Sequence, residues 1–249
     1  MKIDFSGKTI LITGATKGIG EQIAKDMESC GASLLLIGSN EDKVLQLNKE
    51  AEQKNLRRCY FAADFRNATV VENLIDTLCN HHTIDVCINN AGMNKIDSID
   101  EFSNKDWNDI FSVNLQAPLL ITRRVSQSMK EKRYGRIVNI SSIFGTVSRA
   151  RRSLYSVSKF GLRGLTVASA LDLAPYNVLV NTVSPGFVLT ELTKNILSKE
   201  EMEQLANVVP LGRFANPEEI SKAVLFLSSD LNTYITGQDL LIDGGYVSV

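Results

Sequence analysis

Short runs of apolar, often β-branched residues alternate with longer amphipathic segments along the whole chain. Runs of this kind are typical of strands buried on both faces of a sheet, and the amphipathic segments between them are typical of crossover helices. The pattern predicts an α/β fold, a single doubly wound parallel sheet with helices on both faces. The expected strands are residues 9–13, 34–38, 59–62, 86–89, 136–140, 178–183 and 239–242, and the expected helices are residues 19–29, 42–54, 69–80, 104–131, 153–174 and 217–228.

No linker, repeat or low-complexity segment interrupts the alternation, so residues 1–249 are expected to form one domain. One connection, between residues 185 and 216, contains no expected strand. Its length exceeds that of an ordinary connection and favours a substrate lid at about residues 187–215. The candidates for the roof of a pocket beneath this lid are Leu192, Ile196, Leu197 and Met202.

The first expected strand is followed by a glycine-rich loop that opens a helix. The loop is Thr13-Gly14-Ala15-Thr16-Lys17-Gly18-Ile19-Gly20. Glycine permits a tight turn and a close backbone approach, and the free N–H groups of a helix N-terminus bind phosphate. Because ligands of such sheets bind at the carboxyl ends of the strands, we expect a dinucleotide phosphate here. A turn that serves only packing is the alternative.

A second candidate site is the segment Tyr155-Ser156-Val157-Ser158-Lys159, together with Ser142, thirteen positions before the tyrosine. Residues four apart share one helix face, so the Lys159 ammonium is expected to lower the pKa of the Tyr155 phenol from its usual value of about 10. Such a phenol can exchange a proton with a substrate, while Ser142 holds the substrate oxygen. Taken alone, the Tyr–Lys pair is also typical of an ordinary helix surface.

The glycine loop and Tyr155-x-x-x-Lys159 together resemble the short-chain dehydrogenase/reductase family. The resemblance extends through Asn89-Asn90-Ala91-Gly92, Asn114 and Pro185-Gly186 to the C-terminus. It implies a Rossmann-type fold and hydride transfer between a nicotinamide and a carbonyl or secondary alcohol. It also implies a homotetramer whose interfaces are made by the helices expected at residues 104–131 and 153–174.

The resemblance implies a role for each catalytic residue. Tyr155 is the general acid, Ser142 orients the carbonyl, Lys159 also holds the cofactor ribose, and Asn114 anchors a water that links Lys159 to solvent. For Asp64, a turn-forming role is the alternative to an adenine contact. The expected cofactor contacts are Gly14, Thr16, Lys17, Gly18, Ile19, Gly20, Ser39, Asn40, Asp64, Phe65, Asn90, Ala91, Gly92, Tyr155, Lys159, Pro185, Gly186, Val188 and Thr190.

The end of the second strand bears on the choice between NAD(H) and NADP(H). A carboxylate at this position binds the ribose 2′-OH of NAD, whereas a 2′-phosphate requires its absence and a nearby cation. Here the strand is followed by Ser39-Asn40, and Glu41 and Asp42 are expected in the first turn of the next helix. With Lys17 in the glycine loop, the sequence predicts NADP(H). A solvated loop lysine is the alternative for Lys17.

Composition excludes several other classes. The net charge of −1 and the 22% of charged residues do not favour binding to nucleic acid or to an anionic membrane. The apolar runs are far shorter than the roughly 20 residues of a membrane span, and the N-terminus lacks an apolar signal segment. We therefore expect a soluble cytoplasmic protein. The four cysteines are scattered and His81-His82 are adjacent, so no metal site is expected.

Three arginines, Arg149, Arg151 and Arg152, lie between Ser142 and Tyr155 on the loop that should border the substrate. Guanidinium groups bind carboxylates and phosphates, which favours an anionic substrate. Such a substrate would be held by Ser142, Tyr155 and the three arginines. A solvated or subunit-contact cluster is the alternative.

In length and motifs the chain is most similar to 3-oxoacyl carrier-protein reductases, in which surface arginines hold the acidic carrier. Arg133 fits one such position, but Tyr176 at the second is not basic. The expected substrate is a 3-oxoacyl thioester, either free or bound to a carrier protein. The alternative is a small anionic keto sugar or sugar acid, as for a gluconate 5-dehydrogenase. A non-catalytic dinucleotide sensor is a remote alternative, since fold does not fix function.

Overall fold

The computed structural model describes residues 2–191, 193 and 198–248. Within these residues, seven parallel strands form one sheet in the order β3-β2-β1-β4-β5-β6-β7. The strands are β1 (Thr9–Thr13), β2 (Ser33–Gly38), β3 (Arg58–Ala62), β4 (Val86–Asn89), β5 (Gly135–Ile140), β6 (Val178–Pro185) and β7 (Asp239–Ile242). The helices are α1 (Gly18–Ser29), α2 (Glu41–Gln53), α3 (Ala68–His81), α4 (Asn104–Phe111), α5 (Ala117–Lys132), α6 (Ser153–Leu173), α7 (Lys199–Asn207) and α8 (Pro217–Ser228). The predicted fold class is confirmed, and strand ends differ by at most two residues.

Helices cover both faces of the sheet because successive strand residues point to opposite sides. In β1, Ile10 and Ile12 belong to the core layer beneath α1 and α8, whereas Leu11 belongs to the layer beneath α3, α5 and α6. The other central strands divide their side chains in the same way. Apolar side chains dominate both layers, and the buried Asn89, Asn139 and Thr182 on the strands are satisfied by hydrogen bonds to other buried side chains.

The strand order reverses between β1 and β4, which are neighbours in the sheet. From β1 the chain builds outward through β2 and β3, and it then returns to the other side of β1 to begin β4. Ligands of doubly wound sheets bind in the crevice that such a reversal opens at the carboxyl ends of the strands. The glycine loop follows β1, and Asn90, Ala91 and Gly92 follow β4, so both lie at this crevice.

The single helix expected at residues 104–131 is divided in the structure. A π-helical segment, Ser112–Gln116, separates α4 from α5 and contains Asn114. Insertions of this kind are rare and concentrate at functional sites. The apolar periodicity of the sequence does not reveal the extra residue, because the flanking helices keep their own amphipathic pattern.

The two ends of the expected lid are held together. Val188 and Ala215 form an isolated parallel bridge, and the rings of Phe187 and Phe214 stack with centroids 5.5 Å apart. The chain between them contains α7, on which Met202 is partly buried. The other proposed roof residues, Leu192, Ile196 and Leu197, lie outside the described residues.

The apolar residues of α6 do not all face the core. Leu162 is buried, but Val167 and Leu171 are 43% and 74% exposed. Val167 and Leu171 follow the buried residues Thr166 and Ala170 by one position and so lie on a different side of the helix. In the described residues, no helix combines the length and the apolar character that a membrane crossing requires.

Candidate active site

The glycine loop is tightly packed against the segment that follows β4. Gly14 and Gly18 have φ angles of 64° and 58°, in the left-handed region that favours glycine. A Cβ atom on Gly20 would lie 2.4 Å from Asn90 Nδ2 and 2.4 Å from the Gly14 carbonyl oxygen. These contacts show why glycine is required at position 20.

Thr13 and Asn90 join the two strand ends. Thr13 Oγ1 accepts hydrogen bonds from the N–H groups of Asn90 and Ala91, each at 3.0 Å. Asn90 Nδ2 in turn donates to the carbonyl oxygens of Thr13 and Gly14, also at 3.0 Å. The Asn90 side chain therefore supports the glycine loop. Thr13 was not among the predicted site residues, although a buried hydroxyl at the end of an apolar strand is a signal for such a role.

The start of α1 is open to an anion. Lys17 is the N-cap residue, is exposed, and makes no side-chain capping hydrogen bond. Thr16 packs over the end of β2, since a Cβ atom on Gly38 would lie 2.4 Å from Thr16 Cγ2. Thr190, at the start of the expected lid, approaches Gly18, with Cγ2 at 3.6 Å from the Cβ position of that glycine. The first turn of α1 thus lies between the end of β2 and Thr190.

Ser39 and Asn40 are exposed at the tip of β2. Asn40 Oδ1 caps α2 by accepting a hydrogen bond from Lys43 N at 2.7 Å. Its Nδ2 group is the remaining side-chain donor. Glu41 and Asp42 occupy the first turn of α2, as expected, where they interact favourably with the positive end of the helix dipole.

Asp64 forms a local turn with Arg66. Its carboxylate accepts hydrogen bonds from Arg66 N at 3.0 Å and from Arg66 Nη2 at 2.7 Å. These hydrogen bonds hold the pKa of Asp64 below its usual value. The turn-forming alternative is therefore present in the structure, and the adenine contact stays a prediction.

Several predicted cofactor residues have side chains in the core. Phe65 and Val188 are buried, and Ile19 packs against the core from a partly buried position. A cofactor contact by Phe65 or Val188 is thus restricted mainly to the backbone. Pro185 ends β6, and the Gly186 N–H donates to a carbonyl oxygen of β7 at 2.9 Å.

Tyr155 and Lys159 lie in the first two turns of α6, beside the end of β5. Lys159 is 3% exposed, and its Nζ donates a hydrogen bond to the Ile140 carbonyl oxygen at 2.9 Å. Burial lowers the pKa of Lys159 to about 8. Its Nζ lies 5.7 Å from the centroid of the Tyr155 ring.

The Tyr155 side chain is partly exposed and packs edge-to-face on Phe144, with ring centroids 6.3 Å apart. Burial raises the pKa of Tyr155, while the nearby Ser142 hydroxyl and the positive charge of Arg152 act in the opposite direction. The sequence predicted that Lys159 lowers this pKa. In the structure burial dominates and the pKa of Tyr155 is raised, and the cation that opposes this rise is Arg152.

The two adjacent serines have different surroundings. Ser141 Oγ donates to the Lys159 carbonyl oxygen at 3.3 Å, which ties β5 to α6. Ser142 Oγ accepts a hydrogen bond from Phe144 N at 3.2 Å and retains its own proton for another partner. Of the two hydroxyls, Ser142 is the one available beside Tyr155.

Asn114 connects the π-helical segment with the loop after β4. Its Oδ1 accepts from Met93 N at 2.9 Å, and its Nδ2 donates to the Met93 carbonyl oxygen at 2.9 Å and to Ser158 Oγ at 3.0 Å. A Cβ atom on Gly92 would lie 3.6 Å from Asn114 Oδ1 and 3.7 Å from Lys159 Nζ. Asn114 and Lys159 therefore flank Gly92.

The three loop arginines point to different partners. The Arg151 carbonyl oxygen accepts from Asp97 N at 3.2 Å, and its guanidinium lies 3.9 Å from the Asp97 carboxylate. Arg152 is partly buried, with its guanidinium carbon 5.5 Å from the Phe144 centroid. Burial and the nearby charge of Arg149 lower the pKa of Arg152. The structure thus places Arg152 near Tyr155, with Arg149 close enough to act on Arg152, and directs Arg151 towards Asp97.

The crevice therefore combines an open helix N-terminus, a glycine loop and a buried Lys beside a Tyr–Ser pair. Residues 14–247 match the family model described as enoyl-(acyl carrier protein) reductase. The chain belongs to the short-chain dehydrogenase/reductase family. It is therefore an NAD(P)-dependent oxidoreductase, as the sequence predicted.

Relatives and solved structures match over nearly the whole chain. The 3-oxoacyl-[acyl-carrier-protein] reductase FabG of Aquifex aeolicus (strain VF5) is 37% identical over 98% of this chain and 99% of its own length. The cyclopentanol dehydrogenase of Comamonas sp. (strain NCIMB 9872) is 35% identical over 97% of each chain. A gluconate 5-dehydrogenase from Burkholderia cenocepacia J2315, solved with NADP and tartrate, has a TM-score of 0.92 and 28% identity over 99% of this chain and 97% of its own.

The proposed carrier-binding position lies away from the crevice. Arg133 ends α5 with a φ of 53°, and its Nη2 donates to the Pro175 carbonyl oxygen at 2.9 Å. Lys130 Nζ lies 4.6 Å from the centroid of the Tyr176 ring. Arg133 and Tyr176 immediately precede β5 and β6, so they lie at the amino edge of the sheet, whereas Tyr155 lies at the carboxyl edge.

Proposed function

We propose that this chain is an NADPH-dependent reductase of 3-oxoacyl thioesters, with Tyr155 as the proton donor. The observation that carries this proposal is the position of the Tyr155 phenol beside the Ser142 hydroxyl, one helical turn before a buried lysine. Two neighbouring hydroxyl donors suit a carbonyl oxygen that gains negative charge during reduction. The full-length similarity to a 3-oxoacyl carrier-protein reductase supports the choice of substrate.

The crevice fits a nicotinamide dinucleotide. The backbone beside Gly14 and Gly20 and the uncapped start of α1 suit the pyrophosphate, and Lys159 suits the nicotinamide ribose. When bound, the nicotinamide supplies the hydride that the carbonyl carbon receives. The side chains and backbone of the crevice bind the cofactor and move the proton.

The preference for NADP(H) rests on the tip of β2. Ser39 and the Nδ2 group of Asn40 are donors for a 2′-phosphate, and Lys17 adds a positive charge. The absence of a carboxylate directly after β2 favours the same cofactor. A Michaelis constant for NADPH well below that for NADH would support this preference, and the reverse order would contradict it.

Tyr155 donates its phenolic proton to the carbonyl oxygen, and that oxygen takes the electron pair of the C=O π bond. Ser142 donates a hydrogen bond to the same oxygen and so orients the substrate. Lys159, whose pKa is about 8, exchanges protons near neutral pH and returns one to Tyr155, and water anchored near Asn114 links Lys159 to solvent.

The substrate is tested by following NADPH oxidation with four compounds: an acetoacetyl thioester, 5-keto-gluconate, 2,3-butanedione and a crotonyl thioester. The proposal expects the highest kcat/KM with the acetoacetyl thioester and its loss in Tyr155→Phe. Full turnover by Tyr155→Phe would refute the proton-donor role. Tight NADPH binding without turnover on a broad carbonyl panel would instead favour a dinucleotide sensor.

Reduction of a small anionic keto sugar is a second candidate. Arg152 lies near Tyr155 with its guanidinium facing the Phe144 ring, and the charge of Arg149 acts on Arg152. The similarity to a gluconate 5-dehydrogenase supports this candidate. A kcat/KM for 5-keto-gluconate above that for the acetoacetyl thioester would select it.

We also propose that residues 187–215 form a substrate lid, and that the exposed apolar residues Val167 and Leu171 contribute to a homotetramer.

Arg133 lies at the opposite edge of the sheet from Tyr155, so an acidic carrier docked there would serve the active site of a neighbouring copy. Arg133→Glu should raise KM for a carrier-bound substrate while leaving KM for the acetoacetyl thioester of a small thiol unchanged. Equal effects on both substrates would argue against docking.

A further inference from the structure

Arg152 and Tyr155 contact the same aromatic ring. The Arg152 guanidinium carbon lies 5.5 Å from the centroid of Phe144, and the Tyr155 ring meets Phe144 edge-to-face at 6.3 Å. Phe144 is itself buried, so it provides a fixed platform for both side chains. Because Arg152 and Tyr155 are three residues apart at the start of α6, the helix also holds them on one side.

Lys159 provides a less persistent positive charge. Its Nζ is bound to the Ile140 carbonyl oxygen, and its pKa is lowered to about 8 by burial. It therefore loses its charge in the alkaline range in which a phenol begins to ionise. A guanidinium keeps its charge throughout that range, and Arg152 contacts the aromatic platform rather than a carboxylate.

We propose that Arg152 is a positioning residue for proton transfer, whose guanidinium stabilises the ionised form of Tyr155 from across Phe144. The proposal rests on the function proposed above for Tyr155 and adds a second cation to the site. The charged and polar groups that face Tyr155 among the described residues are Lys159 and Arg152 on its own helix and Ser142 at the end of β5. The positive charge of Arg149 is directed at Arg152, whose pKa it helps to lower.

Ionisation of Tyr155 can be measured without turnover. The phenolate absorbance of the cofactor-free protein is titrated against pH, and the curve of Tyr155→Phe is subtracted to isolate Tyr155. Arg152→Gln should move the midpoint upward by about one pH unit. Arg152→Lys should stay near the wild-type midpoint, and the matched control Arg151→Gln, which removes a charge directed towards Asp97, should also leave it in place.

The same shift should appear in kcat/KM for reduction of the neutral ketone 2,3-butanedione. Reduction requires the protonated phenol, so its alkaline decline should move upward by the same amount in Arg152→Gln. An unchanged midpoint would overturn the proposal, as would equal shifts in Arg152→Gln and Arg151→Gln. A higher KM for 5-keto-gluconate without any shift would identify Arg152 as a substrate contact only.

The two proposals can fail separately. If Tyr155→Phe retains turnover while Arg152→Gln still shifts the titration, the proposed function fails and the link between Arg152 and Tyr155 stands. If Tyr155→Phe loses turnover and Arg152→Gln shifts nothing, the function stands and the role of Arg152 is refuted.

Discussion

The cofactor side and the substrate side of the crevice are built differently. On the cofactor side, strand ends and glycines are joined by Thr13 and Asn90, with four hydrogen bonds of 3.0 Å between the two loops. On the substrate side, the Arg149–Arg152 segment is joined to Asp97 by one backbone hydrogen bond and one long ion pair, and to α6 by a hydrogen bond from Ser156 N to the Arg152 carbonyl oxygen. Backbone geometry determines the first side, whereas side chains on loops determine the second.

The cofactor side therefore depends on backbone features that the fold itself provides, whereas the substrate side depends on side chains that are particular to this chain. A pyrophosphate is recognised by backbone N–H groups, which tolerate little change in loop geometry. A substrate is recognised by side chains that can be exchanged without disturbing the sheet. Substitutions on the two sides should therefore affect different kinetic constants.

The largest effect is expected for Gly20→Ala on the cofactor side. The added methyl group would overlap Asn90 Nδ2 and the Gly14 carbonyl oxygen at 2.4 Å, so the loop must shift. We expect the Kd for NADPH, measured by fluorescence titration, to rise by about a hundredfold, since overpacking costs about 1–3 kcal/mol. Glu21→Ala, which removes only a surface ion pair with Lys25, is the control and should change Kd less than about threefold. An equal response of the two variants would contradict the packing explanation.

Lys159 lies where the two sides meet, and its burial should destabilise the cofactor-free protein. Its pKa is about 8 in the folded protein and 10.5 in the unfolded chain. Below pH 8 Lys159 is protonated in both the folded and the unfolded state, so the full cost of burying its charge is present. Between pH 8 and pH 10.5 the unfolded chain keeps the proton that the folded protein has lost, so the free energy of unfolding of the wild type rises with pH.

Lys159→Met should therefore raise the free energy of unfolding by about 2 kcal/mol near neutral pH, after allowance for the lost hydrogen bond to Ile140. Urea denaturation from about pH 7 to 10 should show this gain shrinking as the pH rises. The variant should also lose turnover. A gain that is independent of pH would show that charge burial is not its cause.

Ser39→Asp tests the choice of cofactor without touching the substrate side. A carboxylate at the tip of β2 repels a 2′-phosphate and can accept a hydrogen bond from a 2′-OH. We expect KM for NADPH to rise by about tenfold and KM for NADH to fall. Ser39→Asn is the neutral control, and a loss of NADPH affinity as large as that in Ser39→Asp would mean that charge is not the cause.

The smallest effect is expected for Asp97→Asn, which acts on the substrate side alone. The substitution removes the ion pair with Arg151, so the charge of Arg151 adds to those of Arg149 and Arg152. KM for 5-keto-gluconate should fall by only about twofold, because an exposed ion pair contributes little free energy. The Kd for NADPH should stay unchanged. A change in NADPH binding would mean that the two sides are coupled.

Much of the cofactor side could be predicted from the sequence because its chemistry depends on local patterns. Apolar runs predicted the strands, and the glycine spacing predicted the turn after β1, where the φ of Gly14 is 64°. The sequence missed Thr13, since its two acceptor contacts involve residues that follow β4, far along the chain.

The substrate side was less accessible to prediction. Three arginines close together in the sequence suggested one cluster, but the φ of 65° at Arg151 turns this residue towards Asp97. The pairing of Arg152 with Phe144 depends on how the loop after β5 folds over α6. The π-helical segment around Asn114 was also missed, because one extra residue in a turn leaves the amphipathic pattern intact.

The central claim is that hydride transfer takes place in this crevice with Tyr155 as the proton donor. The most direct test uses NADPH deuterated at the transferable position of the nicotinamide and the acetoacetyl thioester as substrate, with the product examined by mass spectrometry and NMR. The account predicts one deuterium on the carbon that bears the new hydroxyl group, formed by the wild type and not by Tyr155→Phe. Bound cofactor with no deuterium in any product, or equal labelling by Tyr155→Phe, would contradict it.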